Sequence, residues 1–250
     1  MVRISILAVV FAITTSTLSA YDDSPGRIVI DASKDGGVWW FPQGENGFDP
    51  TKLHQGKRFA DYLKSTGWQV EEIARGEDIT DRLEGATIVV RASLCGAYRA
   101  SEVRAYRDYV TNGGSVLLLR GFVRDGLDDP DTVATAFGIK FSSTVRARFI
   151  TRWAKHPLVE NLDMLPYNIG SVVTQSPESS VHLAYLNDDR PVMGLLSLGE
   201  GKVIYVSTIL PLLNVPQPFT ERVIQELAGP RQGNPLHEML KFFRKAFAVE

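Results

Sequence analysis

The chain has 250 residues and a mass of 27.7 kDa, which is enough for one large domain or two small ones with a substantial core. Hydrophobic residues make up 44% and charged residues 22%, which excludes a disordered chain, a collagen-like repeat and a polytopic membrane protein. The formal net charge of −2 gives no basic field for a nucleic-acid partner, and a single cysteine excludes both an intramolecular disulfide and a multi-cysteine metal site.

The N-terminus has the three parts of a secretory signal. Arg3 precedes an apolar run over residues 4–13, and Leu18, Ser19 and Ala20 place small residues where a signal peptidase cuts. The run is shorter than the roughly 20 residues that a membrane-spanning helix needs. The sequence therefore predicts a signal peptide at residues 1–20 and a secreted or periplasmic mature chain at 21–250, with no transmembrane segment after cleavage.

The first half of the mature chain alternates short apolar strands with helical segments. Strands are predicted at residues 27–31, 68–73, 86–91 and 115–120. A helix is predicted from Thr51 to a stop at Gly67, a helical turn behind Asp78, and a second helix behind Ser101 as its N-cap. Because parallel strands need crossover connections, this order predicts an α/β fold with a doubly wound, mostly parallel sheet.

The second half is richer in strands. They are predicted at residues 147–153, 181–186, 192–197 and 202–208, with Gly199-Glu200-Gly201 as the hairpin turn between the last two. Helices are predicted at 220–227 and 235–247, the latter amphipathic. No low-complexity linker interrupts the chain, so a single domain over 21–250 is expected.

Several segments carry a family resemblance. They are the strand at 28–31 with its following loop, residues 59–70, residues 101–117, the pair His156-Pro157, and the turn Gly199-Glu200-Gly201. Together they resemble the class I glutamine amidotransferase-like superfamily, and in particular trehalose-utilisation-like and other secreted domains. The resemblance implies a flavodoxin-like three-layer sandwich, but it does not imply one activity.

The sequence departs from the catalytic members of that superfamily. They place a nucleophilic cysteine after the strand that corresponds to residues 115–119, and a His and a Glu after a late strand. This chain has Arg120, Gly121 and Phe122 at the first position and Ser207 and Thr208 at the second. A branch without the Cys/His/Glu triad is therefore expected, with no glutamine hydrolysis and no cofactor.

Three charged residues end predicted central strands. They are Asp31, Arg91 and Arg120, and in a flavodoxin-like strand order the first, third and fourth strands are neighbours. Two interpretations are open. The side chains form an anion or carboxylate clamp, because arginine offers a bidentate fork, or they form a structural ion-pair cluster.

The loop at residues 33–50 carries aromatic rings beside polar groups. Trp39 and Trp40 lie close to Asp35 and Glu45, and flat rings beside hydrogen-bonding groups suit a sugar. The alternative is that the rings only anchor a long loop. In a hydrolase, Asp31, Asp35 and Glu45 would be the acid and base candidates.

Two further features are weak site candidates. Cys95 follows the third strand, but no histidine is tied to it by a motif, so an inert thiol is favoured over a nucleophile. The acidic run from Asp125 to Asp131 lacks the alternating ligand spacing of a calcium loop. No metal site is therefore expected.

These features favour a secreted or periplasmic, non-catalytic domain that binds a ligand, such as a carbohydrate, or an envelope protein. The ligand-binding candidates are Asp31, Trp39, Trp40, Arg91 and Arg120. One alternative is a glycan-directed hydrolase that uses crevice carboxylates. The other is a purely structural interaction module.

Overall fold

A central sheet of eight strands organises the fold in the computed structural model, which describes residues 25–31, 33–34, 55–73, 76–93, 98–121, 131–209 and 218–229. The strands are β1 (Arg27–Asp31), β2 (Gln69–Ile73), β3 (Ile88–Ser93), β4 (Ser115–Arg120), β5 (Lys140–Phe141), β6 (Val145–Ile150), β7 (Arg152–Trp153), β8 (Leu165–Gly170), β9 (Val173–Gln175), β10 (Val181–Tyr185), β11 (Pro191–Leu198) and β12 (Gly201–Val206). The helices are α1 (Gln55–Ser65), α2 (Ala100–Thr111), α3 (Thr132–Ala136) and α4 (Pro218–Ala228), and a 3-10 turn covers Thr80–Arg82.

The strand order in the large sheet is β2-β1-β3-β4-β12-β11-β10-β7. The five strands from β2 to β12 pair in parallel, and β11, β10 and β7 continue the sheet as antiparallel strands. This confirms the predicted α/β fold with a mixed, mostly parallel sheet, and it confirms that the first, third and fourth strands are neighbours.

Side chains of the central strands alternate between two buried clusters. Ile28 and Ile30 of β1 belong to one cluster with Phe59 and Leu63 of α1, whereas Val29 between them belongs to the other. The second cluster includes residues of α2 and α3. Successive strand residues point to opposite faces, so both faces of the parallel region are buried, as its continuous apolar runs predict.

Helix α1 ends as expected, and helix α2 starts differently. Gly67 adopts a φ of +91° just past the end of α1, where glycine is favoured. The N-cap position of α2 is Arg99, not the predicted Ser101, and the Arg99 N–H donates to the Glu102 carboxylate at 2.7 Å. The Glu102 carboxylate also accepts a hydrogen bond from Lys34, a long-range contact that sequence spacing alone does not contain.

The predicted strand at 147–153 is two strands in different sheets. β6 pairs with β8 in a separate two-stranded sheet, and β7 joins the large sheet beside β10. The Trp153 ring packs near the ring of Phe219 of α4, 6.4 Å between centroids, so packing draws this short segment back to the core. Helix α3 and the strands β5, β8 and β9 were not predicted.

Several predicted features lie outside the described residues. They are the signal peptide at 1–20, most of the aromatic loop and the last helix at 235–247. None of the helices in the described ranges is long and apolar enough to cross a bilayer.

The predicted hairpin turn between β11 and β12 is confirmed, with Leu198 and Gly201 paired across it. A side chain at Gly201 would collide with the carbonyl oxygens of Val110 and Gly114. The turn therefore packs directly against the end of α2 through a position without a Cβ.

We expect Gly201→Ala to lower the free energy of unfolding by about 1–3 kcal/mol, because the clash is with backbone that cannot rotate away. The exposed residue Ser197 of the same hairpin provides the control, and Ser197→Ala should change stability by less than about 0.5 kcal/mol. Urea unfolding of both variants measures this, and equal stabilities would contradict the packing described.

Candidate functional site

The three predicted strand-end residues come together. Asp31 of β1 and Arg91 of β3 are partners in the parallel register, and Arg120 of β4 is paired with Ser93, two residues beyond Arg91. All three are buried, with exposures of 1%, 0% and 6%. Their positions in the strands place them on the same sheet face, the one that α2 and α3 cover.

Asp31 is held by hydrogen bonds from three groups. The hydroxyls of Tyr98 and Tyr106 donate to its Oδ2 at 2.8 and 2.5 Å, and the Ser33 N–H donates to Oδ1 at 3.0 Å. The two rings meet edge to face, with centroids 5.8 Å apart. Both carboxylate oxygens of Asp31 are therefore already used inside the protein.

The two tyrosines act as permanent donors. Burial raises the pKa of Tyr98 and of Tyr106 well above the usual value, and the negative charge of Asp31 raises each pKa further. Both hydroxyls therefore keep their protons across the neutral range.

Asp131 completes the site, and sequence analysis missed it. Its Oδ2 accepts from Nη1 of Arg91 at 2.8 Å and lies 3.7 Å from Nη1 of Arg120. Its Oδ1 accepts from the Ala134 N–H at 2.9 Å and caps α3. The available signal was an aspartate directly before a short apolar helix, typical of an N-cap, but the surrounding acidic run obscured it.

We call Asp31, Arg91, Arg120 and Asp131 the strand-end cluster. Two carboxylates and two guanidiniums have formal charges that cancel, which is the arrangement that makes burial of charge tolerable. Burial acts to lower the pKa of Arg91, but the carboxylate of Asp131 and the other neighbours raise it overall. Arg91 is therefore a permanent cation.

One edge of the Arg91 guanidinium has no hydrogen-bond acceptor among the described residues. Nη1 binds Asp131, whereas Nε and Nη2 make no hydrogen bond with the part of the chain that the structure describes. The Tyr98 ring lies 5.1 Å from Cζ, and its hydroxyl donates to Asp31 while the nearby Arg91 acts to lower the pKa of that hydroxyl. Nε–H and Nη2–H point the same way from a guanidinium, so the open edge is one that binds a carboxylate through two hydrogen bonds.

A second ion pair borders the cluster. Lys34, just after β1, lies 2.7 Å from Oε1 of the fully buried Glu102 and 5.0 Å from the centroid of the Tyr98 ring. Burial raises the pKa of Glu102, but hydrogen bonds from Lys34 and from the Arg99 N–H and side chain outweigh it, so the pKa is lowered overall. Glu102 is therefore ionised at neutral pH.

The remaining candidate residues are not part of this geometry. Trp39, Trp40, Asp35, Glu45 and Cys95 lie outside the described residues. Within the described ranges, no group of three or more His, Cys, Asp or Glu side chains is arranged to hold a metal ion. Strand β4 ends at Arg120 and is followed by Gly121, and strand β12 is followed by the buried residues Ser207 and Thr208.

No family model and no curated protein matches the sequence. The fold is similar to solved structures at low identity. The mmIFT52 N-terminal domain matches with a TM-score of 0.61 and 13% identity over 81% of this chain and 98% of that domain. The cytoplasmic protein STM3548 from Salmonella typhimurium matches with a TM-score of 0.56 and 13% identity over 80% of this chain and 97% of its own.

A thua-like protein from Bacteroides uniformis is also similar, with a TM-score of 0.51 and 12% identity over 80% of this chain and 89% of its own. The resemblance to trehalose-utilisation-like domains is thus supported at the level of fold. At these identities the similarity establishes the fold and no activity.

We expect Tyr106→Phe to lower the free energy of unfolding by about 1.5–3 kcal/mol, because it removes a hydrogen bond to a buried charge. Tyr62 is a half-buried tyrosine packed against the other cluster, and Tyr62→Phe should cost about 0.5 kcal/mol or less. Chemical denaturation of both variants tests this. Equal costs would show that Asp31 does not depend on the Tyr106 hydroxyl.

The lowered pKa of Glu102 makes its stabilising effect depend on pH. The unfolded chain has a glutamate pKa of about 4.3. A carboxyl whose pKa is lower in the folded protein stabilises the fold at pH values above about 4.3, and this stabilisation is lost as the pH falls through the folded-state pKa. We therefore expect Glu102→Gln to melt well below the wild type at pH 7, with the difference shrinking below about pH 4.

The exposed Glu160 provides the control for this pH series. Glu160→Gln should stay within about 0.5 kcal/mol of the wild type at every pH. Melting curves from pH 7 to pH 3 measure both variants. A difference for Glu102→Gln that stays constant over this range would contradict a role for the charge.

Proposed function

We propose that this protein is a secreted or periplasmic, non-catalytic domain of the amidotransferase-like kind that binds a ligand bearing a carboxylate group, with an acidic carbohydrate as the favoured class. Its strand order and its two buried clusters support a doubly wound, flavodoxin-like three-layer sandwich. The apolar run after Arg3 supports export.

The edge of Arg91 that has no hydrogen-bond partner among the described residues carries the proposal. A buried donor without an acceptor costs about 1–3 kcal/mol, and within the described ranges this guanidinium has two such donors, Nε and Nη2, side by side. A carboxylate would satisfy both donors at once.

The position of Arg91 agrees with this role. It lies near the carboxyl ends of β1, β3 and β4, the edge where open α/β sheets bind ligands. Arg91 itself is fully buried, but the side chain of Arg120 keeps 8% of its surface exposed, so the cluster reaches the surface on the Arg120 side.

The chemistry of the same residues supports binding rather than catalysis. Asp31, the central acid candidate of the hydrolase alternative, has both carboxylate oxygens engaged by Tyr98, Tyr106 and Ser33. A general acid or base needs an oxygen free to exchange a proton with substrate. The residues after β4 and β12 supply neither the cysteine nor the histidine of the amidotransferase mechanism.

A thermal-shift titration with D-galacturonate, and with D-galactose as the neutral control, tests the proposal. At a concentration of about 100 times its dissociation constant, galacturonate should stabilise the protein by roughly 2.7 kcal/mol, and galactose should have no effect. Arg91→Lys keeps the charge but removes the fork, so it should abolish the shift, whereas the exposed control Arg104→Lys should preserve it.

Two outcomes would overturn the proposal. One is no stabilisation of the wild type by galacturonate, and the other is an equal shift in Arg91→Lys. If Arg91→Lys does not fold, the Nε–H resonance of Arg91 in the wild-type protein replaces it. That resonance must shift on titration with galacturonate and must not shift with galactose.

A further inference from the structure

The two-stranded sheet of β6 and β8 carries a pocket that contains no residue of the strand-end cluster. Its volume is about 430 Å³, and it is lined by Arg146, Ala147, Arg148, Phe149 and Asn168. We call it the arginine pocket. The pocket is a groove open to solvent, and its volume lies within the range of about 300 to 1,000 Å³ found for small-molecule sites.

Two arginines of the pocket have no carboxylate partner among the residues that the structure describes. Arg146 and Arg148 alternate along β6 and are both exposed, and neither takes part in an ion pair within the described chain. By contrast, Arg152 on the next strand is paired with Asp189. The pocket therefore presents two uncompensated positive charges on one side of a strand, about 7 Å apart along it.

The Arg148 guanidinium lies near the ring of the next residue. Its Cζ is 5.5 Å from the centroid of the Phe149 ring, a distance at which a cation and an aromatic face attract each other by about 0.5–1 kcal/mol at an exposed site. This contact favours one orientation of the side chain without fixing it.

Asn168 lines the pocket from β8. It lies opposite Ala147 in the β6–β8 register with a φ of +57°, a left-handed conformation in which asparagine is several-fold enriched among non-glycine residues. Directly opposite residues share one face of a sheet, so Asn168 lies with Ala147, and the charge of the pocket comes from the two arginines.

We infer that the arginine pocket binds a phosphate monoester of a sugar. Two positive charges match the dianion that a phosphate monoester forms above its second pKa of about 6, whereas a single carboxylate would leave one charge uncompensated. The Phe149 ring lies beside the Arg148 guanidinium and suits the ring of the sugar. This site is separate from the carboxylate site proposed at Arg91.

Calorimetric titration with D-glucose 6-phosphate at pH 7.5, and with D-glucose and inorganic phosphate as comparisons, tests the inference. Glucose 6-phosphate should bind, glucose should not, and inorganic phosphate should bind more weakly because it lacks the ring. Arg146→Gln and Arg148→Gln should each weaken binding about tenfold or more, since each removes a charged hydrogen-bond donor. The exposed control Arg104→Gln should bind as the wild type does.

Three results would overturn the inference. They are no binding of glucose 6-phosphate, equal affinity in Arg146→Gln, and equal affinity for inorganic phosphate. Affinity should also fall below pH 6, as the ester becomes a monoanion. Arg91→Lys distinguishes the two sites, because it should leave glucose 6-phosphate binding unchanged whether or not galacturonate binds.

Discussion

Burial of the Arg91 guanidinium is the constraint on which the centre of this structure depends. A fully buried cation is stable only beside an opposite charge and in a network of hydrogen bonds. Asp131 supplies the charge at 2.8 Å and also caps α3. Breaking such a pair by removing one partner typically costs about 3–5 kcal/mol. The ion pair therefore joins β3 to the start of α3 across the sheet end.

The same constraint determines what the strand ends can do. Asp31 accepts hydrogen bonds from Tyr98 and Tyr106, and those tyrosines bring the start of α2 over the end of β1. An aspartate held in this way organises structure and is poorly placed for proton transfer. Arg91 differs, because one edge of its guanidinium has no partner in the described chain. Within this cluster, the group that can bind a ligand is therefore the Arg91 guanidinium and not the Asp31 carboxylate.

The arginines of this protein occupy two different electrostatic settings. Arg91 is buried and neutralised by a protein carboxylate, so a ligand there adds hydrogen bonds to a largely balanced site. Arg146 and Arg148 are exposed and uncompensated, so a ligand there supplies the missing charge. Salt should weaken binding at the exposed pair more than at the buried site.

The sequence by itself determined the parallel half of the sheet, because continuous apolar strands and a glycine helix stop are local patterns that need no partner to be recognised. The meeting of Asp31, Arg91 and Arg120 followed from their places at strand ends together with the flavodoxin-like strand order that the resemblance implies. Only the tertiary structure decided the rest. Asp131 joins the cluster from about 40 residues beyond Arg91, and the segment at 147–153 divides between two sheets. Such contacts depend on which distant segments pack together and on whether a buried charge finds an opposite charge beside it. Both are properties of the folded chain, so no local sequence pattern predicts them.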